Sequence, residues 1–99
     1  YVENVVLANI LAMQSSKKFM GEACNIAHGK RIRISDIKKL LEQYTGKKLI
    51  LEKRLPRAGD VQHTHADLSK AKKLLGYKPL VSFEEGLKRT IAWFDSRIA

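Results

Sequence analysis

Glu22-Ala23-Cys24-Asn25-Ile26-Ala27-His28-Gly29-Lys30 decides how this chain folds on paper. The run from Glu22 to Ile26 is apolar at alternating and adjacent positions and too brief for a stable helix, so it reads as a strand. Ala27-His28-Gly29-Lys30 is the loop at its end, where Gly29 can take a positive φ or let a ligand approach the backbone. With a strand here the chain is a mixed layer.

Upstream, Val2, Val5, Val6, Ile10 and Met13 recur at helical spacing, joined by Leu7, Ala8, Leu11 and Ala12, which predicts a helix with a broad buried face. A polar turn, residues 14–18, closes it. Downstream, Ser35 is the expected N-cap of a second helix with Asp36 in its first turn and Ile37, Leu40, Leu41 and Tyr44 as its buried stripe; Gly46 ends it. Lys48-Leu49-Ile50-Leu51-Glu52-Lys53 reads as a second strand, followed by a long irregular loop from Arg54 to Gln62. Asp67 is placed to cap a third helix carrying Leu68, Ala71, Leu74 and Leu75, terminated by Gly76. Ser82-Phe83-Glu84-Glu85 has the form of a capping box and opens a fourth helix, to about Arg97, with Leu87, Ile91, Trp93 and Phe94 as its bulky contacts. The expectation is an α+β fold, about four helices with two or three short strands.

A chain of 99 residues makes one small domain; a dinucleotide-binding sheet and a substrate domain together need a few hundred. Because it opens at Tyr1 without an initiator Met and within an apolar stretch, residues 1–99 are expected to be one domain cut from a longer polypeptide. The 19 Lys and Arg against 10 Asp and Glu leave a net charge of +9, which invites a nucleic-acid reading. The distribution argues against it, since basic residues fall in scattered pairs and aromatics are few. A basic nucleic-acid-binding module stays as a distant alternative. Cys24 is the one cysteine, which excludes an internal disulfide and fits a reducing, cytoplasmic setting. No apolar run approaches the ~18 residues of a membrane span, so no membrane partner is expected.

Arg57-Ala58-Gly59-Asp60 is the most informative constellation. An Arg fork suits a phosphate and a nearby Asp a sugar hydroxyl, the two demands of a nucleotide-sugar diphosphate. The other reading is an ion pair between Arg57 and Asp60 that merely stabilises a turn, and locally both stand. Arg31 and Arg33, two apart in an extended segment at a strand's end, face the same way and can reach an anion or simply stay solvated. His63 and His65 lack a third ligand at a convincing spacing, so no metal is expected, and a histidine hydrogen-bonded within the loop is favoured. Tyr44 and Lys48 match the Tyr-x-x-x-Lys spacing of short-chain dehydrogenases, but Gly46 between them breaks the helix that this chemistry needs.

Taken in order, Tyr1-Val2-Glu3-Asn4-Val5-Val6, residues 24–31, Arg57-Ala58-Gly59-Asp60-Val61, residues 65–71, Leu75-Gly76-Tyr77 and Phe83-Glu84-Glu85-Gly86-Leu87 resemble the C-terminal part of extended short-chain dehydrogenases. More narrowly, the chain resembles the NAD-dependent sugar-nucleotide epimerase/dehydratase family, nearest to the 4-epimerases of UDP-hexoses and UDP-N-acetylhexosamines. The resemblance implies a nucleotide-sugar-binding portion of an NAD-dependent epimerase, an isomerase, with a dehydratase, decarboxylase or reductase of the same family as the alternative. It implies that NAD and the catalytic Tyr and Lys belong to a Rossmann domain absent from these residues, so that no catalytic or cofactor residue lies here. It leaves a homodimer open for the full-length enzyme. Arg57 stands where the family's Arg contacts the diphosphate and Asp60 where its Asp contacts the uridine ribose. Thr64 falls at a pocket-wall position and Arg31 where some epimerases place another phosphate-facing Arg; Ala58 replaces a proline common in the motif.

Overall fold

The computed structural model describes residues 1–98. Its four helices are α1 (Val2–Gln14), α2 (Ile34–Thr45), α3 (Ser69–Leu75) and α4 (Phe83–Ile98), packed as two pairs, α1 on α3 and α2 on α4. The glycine stops act where they are written: Gly46 at φ 68° and Gly76 at φ 65° close α2 and α3 in the left-handed conformation, and their N–H groups take up orphan carbonyls of the last turns. At the start of α3 the Asp67 carboxylate accepts the Ser69 N–H at 2.9 Å and its hydroxyl at 2.5 Å. Ser82 Oγ accepts the Glu85 N–H at 3.2 Å, while the Glu85 carboxylate turns to Arg89 at 2.8 Å and leaves the box half made. Ser35 does not cap α2. The helix already begins at Ile34, behind Arg33, and no side chain caps it.

The α+β expectation fails: among the described residues there is no strand, and the ordered elements are all helices. Residues 22–26 keep the alternation of a strand, with Cys24 and Ile26 packed on the core and Ala23 and Asn25 exposed. What they lack is a neighbour. A strand exists only when a second segment takes up its N–H and C=O groups across ~4.8 Å, and residues 48–53, exposed except for half-buried Leu49, form no ladder with any described segment. Leu49 gives its N–H to the Glu42 carboxylate at 2.8 Å instead, beside the Lys38–Glu42 ion pair.

The core is small, centred on Ala8, Ala71 and Tyr77 with Leu7, Leu11, Cys24, Ile26, Leu68 and Leu75 around them. Alanines at the α1–α3 contact let the two helices approach closely. Asn4, 3% exposed, joins α1 to the segment before α4: its Nδ2 donates to Val81 O at 2.9 Å, and its Oδ1 accepts from Leu80 N at 2.9 Å and Val81 N at 3.0 Å. Tyr1 seats on buried Gly86, where a Cβ would come within 2.6 Å of the Tyr1 Cβ. Arg89 bridges Glu3 at 2.7 Å and Glu85 at 2.8 Å over the same seam. No helix among the described residues is long and apolar enough to cross a membrane.

The broad buried face expected of α1 is only half buried. Asn4 and Ala8 point inward, whereas Val2, Val5, Val6, Ile10 and Met13 form a bare apolar stripe on the other side. Trp93 and Phe94 are likewise half exposed, meeting edge to face at 4.9 Å with Arg97 over the indole, and add no core contact. The radius of gyration is 17.0 Å. A compact domain of this length has about 13 Å.

Candidate functional site

Arg57 to Asp60 form a single turn. The Asp60 N–H donates to Arg57 O at 3.1 Å, Gly59 holds φ 88°, and the Asp60 Oδ2 accepts the Arg57 N–H at 2.8 Å. The positive φ at its third position is what a type II turn requires, and glycine meets it without strain. The carboxylate therefore closes the turn through the Arg57 backbone, not through its side chain. Among the described residues the Arg57 guanidinium makes no ion pair. Of the two readings open for this segment, the turn forms and the side-chain ion pair does not. Both side chains are exposed, with the five N–H donors of Arg57 and the second oxygen of Asp60 uncommitted.

One residue on, the chain enters a groove of about 640 Å3 walled by residues 31–34 and Asp36 on one side and residues 61–64 on the other. Arg31 and Thr64 thus share one cavity, although 33 positions separate them in the sequence. Arg57 and Asp60 lie outside this lining, at the turn that leads into it. Arg33 also lines the groove, as its same-side spacing with Arg31 indicates. Gln62 and His63 complete the wall, and nothing local in the sequence marks them for it.

Two histidines flank Thr64. His65 places Nε2 2.8 Å from Gly29 O, tying down the loop that precedes residues 31–34, and Gly29 has φ 84°. No three metal-ligating side chains come together among the described residues. Asp67 is held below its ordinary value, chiefly because it accepts the Ser69 hydroxyl and N–H. Burial pushes the Tyr77 phenol up. Tyr44 and Lys48 are divided by the left-handed Gly46, so they do not share a helix.

The family model described as GDP-mannose 4,6 dehydratase matches residues 1–90. The chain belongs to this family. The chain is similar to an uncharacterized protein of Methanocaldococcus jannaschii, 44% identical over 95 residues, and to a UDP-glucuronate 4-epimerase of Thermodesulfobacterium geofontis, 39% identical over 99 residues. The chain covers 28% and 30% of those two proteins, so it spans under a third of their length. Among solved structures it is similar to the UDP-glucose 4-epimerase of Thermotoga maritima with UDP-glucose, at a TM-score of 0.86 and 39% identity, covering 100% of this chain and 31% of that one. The UDP-glucuronic acid 4-epimerase of Bacillus cereus, in complex with UDP-glucuronic acid and NAD, follows at a TM-score of 0.74 and 34% identity over 89% of this chain and 28% of its own.

Proposed function

We propose that residues 1–99 are the C-terminal, UDP-sugar-binding portion of an NAD-dependent UDP-sugar 4-epimerase. The observation that carries this is the Arg57–Asp60 turn: a guanidinium free of any ion pair, held by a Gly59 turn beside a carboxylate with one oxygen spare. A guanidinium in that state is suited to a diphosphate, which accepts two parallel charge-assisted hydrogen bonds, and the spare carboxylate oxygen is suited to a ribose hydroxyl. Arg31 and Thr64, which line the adjoining groove together, extend the same site toward the rest of the nucleotide sugar. The epimerases of Thermotoga maritima and Bacillus cereus, both with UDP-sugars, support the substrate class.

The NAD of this enzyme belongs to a Rossmann domain outside these 99 residues, together with the groups that move the proton and hydride. This chain's task is to grip the UDP moiety while the sugar presents its other face. The bare stripe of α1 supports such a partner, because a helix apolar on every side is ordinarily covered on every side. The single cysteine, Cys24, with its thiol free, supports a reducing, cytoplasmic setting. A homodimeric full-length enzyme is compatible with the reading.

In the full-length polypeptide, Arg57→Ala should weaken UDP-sugar binding by about 2 kcal/mol, roughly thirtyfold in Kd by calorimetry. An unchanged Kd removes Arg57 from the site and the turn from the argument.

A further inference from the structure

The loop that delivers Arg31 to the groove has no ladder to hold it, since residues 22–26 pair with nothing. Its carbonyls are taken instead by side chains from far along the chain. The Tyr77 hydroxyl donates to Ala27 O at 2.9 Å, and His65 Nε2 stands 2.8 Å from Gly29 O. A carbonyl oxygen only accepts, so Nε2 carries the proton in this contact. On the other side Leu68 closes over Gly29, where a Cβ would lie 2.9 Å from the Leu68 Cδ1. Gly29 is therefore held at its oxygen by His65 and at its Cα by Leu68, in a backbone conformation at φ 84° that other residues resist.

His65 directly follows Thr64 in the chain, and Gly29 lies two residues before Arg31. One hydrogen bond thus spans 36 positions and ties together the two segments that run on into the walls of the groove, from residues that do not line it themselves. We propose that His65 is a positioning residue of the nucleotide-sugar site: by tethering Gly29 it sets Arg31 opposite Thr64. This rests on the reading that the groove receives part of a UDP-sugar. His65 does not line the groove, and its Nε2 is engaged by the Gly29 carbonyl. Without it the Arg31 loop keeps only the Tyr77–Ala27 bond and the Leu68 contact upstream of Arg31, and binding must order its last residues at the expense of affinity.

The test is a set of variants in the full-length polypeptide, read by UDP calorimetry and steady-state turnover of a UDP-sugar. His65→Ala should raise the Kd for UDP and the KM for the sugar nucleotide about fivefold, with kcat within about twofold of the parent. His65→Gln, whose amide N–H has a similar reach, should restore most of the loss. On an Arg31→Ala background the His65→Ala substitution should add nothing, because the tether acts through Arg31. If the parent binds no UDP, the nucleotide reading and this proposal fall together. If the parent binds and His65→Ala leaves Kd and KM unchanged, or the two substitutions add, His65 positions nothing while the nucleotide reading stands. Should the Ala variant not fold, His65→Asn, too short to reach Gly29, is measured in its place.

Discussion

A buried amide and an exposed carboxylate show what single residues contribute here. Asn4 satisfies three backbone groups at the α1 seam with one side chain, two of them N–H groups with no other partner close by. Asn4→Ala should cost about 3 kcal/mol in urea unfolding, since it strands buried donors and an acceptor together. Asp67 works at the surface and through pH. Its hydrogen bonds to Ser69 lower its folded pKa, so the stability it adds is present above the ordinary Asp value of 3.8 and fades as the pH falls through the lowered one. Acid titration should loosen the start of α3 below about pH 4, and Asp67→Ala should flatten that limb of the pH–stability curve. Gly59→Ala meets open space and only the strain of φ 88°, so it should cost about 1 kcal/mol while tilting the Arg57 turn; a weaker UDP affinity in the full-length polypeptide is the readout.

Elements written by local chemistry were legible, and those that need a distant partner were not. The period of α2 and α4, the stops at Gly46 and Gly76 and the Ser82 cap all act within a few residues, and each appears where the sequence places it. Residues 22–26 and 48–53 have strand chemistry without a strand, because the ladder is a property of two segments and this chain supplies only one at a time. The Arg57–Asp60 turn was readable from Gly59, whereas the groove joins residues 31–34 to 61–64 and the His65 tether crosses 36 positions, neither of which a local pattern encodes. Apolar periodicity also tells which residues share a face but not how many faces will be covered, and α1 exposes the difference. At the α1–α3 contact, where Ala71 is fully buried, Ala71→Leu should overpack the interface and destabilise the chain by about 1–3 kcal/mol, measured by thermal melting.

The molecule as a whole is wide for its length, 50 × 38 × 19 Å, with few fully buried apolar side chains and a bare stripe along α1. Such a body should bind a hydrophobic dye and unfold with a shallow denaturant slope when studied alone, because the slope scales with surface exposed on unfolding and little is hidden to begin with. The sequence states none of this. A net charge of +9 and 44% hydrophobic residues are ordinary for a domain that hides its apolar surface, and only the arrangement shows how little is hidden.

The seat of Tyr1 on Gly86 brings the first residue against the last helix, with Glu3 and Arg89 paired 86 positions apart across it. Contacts of that separation carry the largest loop-closure entropy in the chain, so they form last on the way in. A seam made after the rate-limiting step governs escape, not arrival. Gly86→Ala, forced against Tyr1, should therefore hasten unfolding in stopped-flow measurements and leave the refolding rate nearly untouched, making this junction the clasp that sets how long the folded chain lasts.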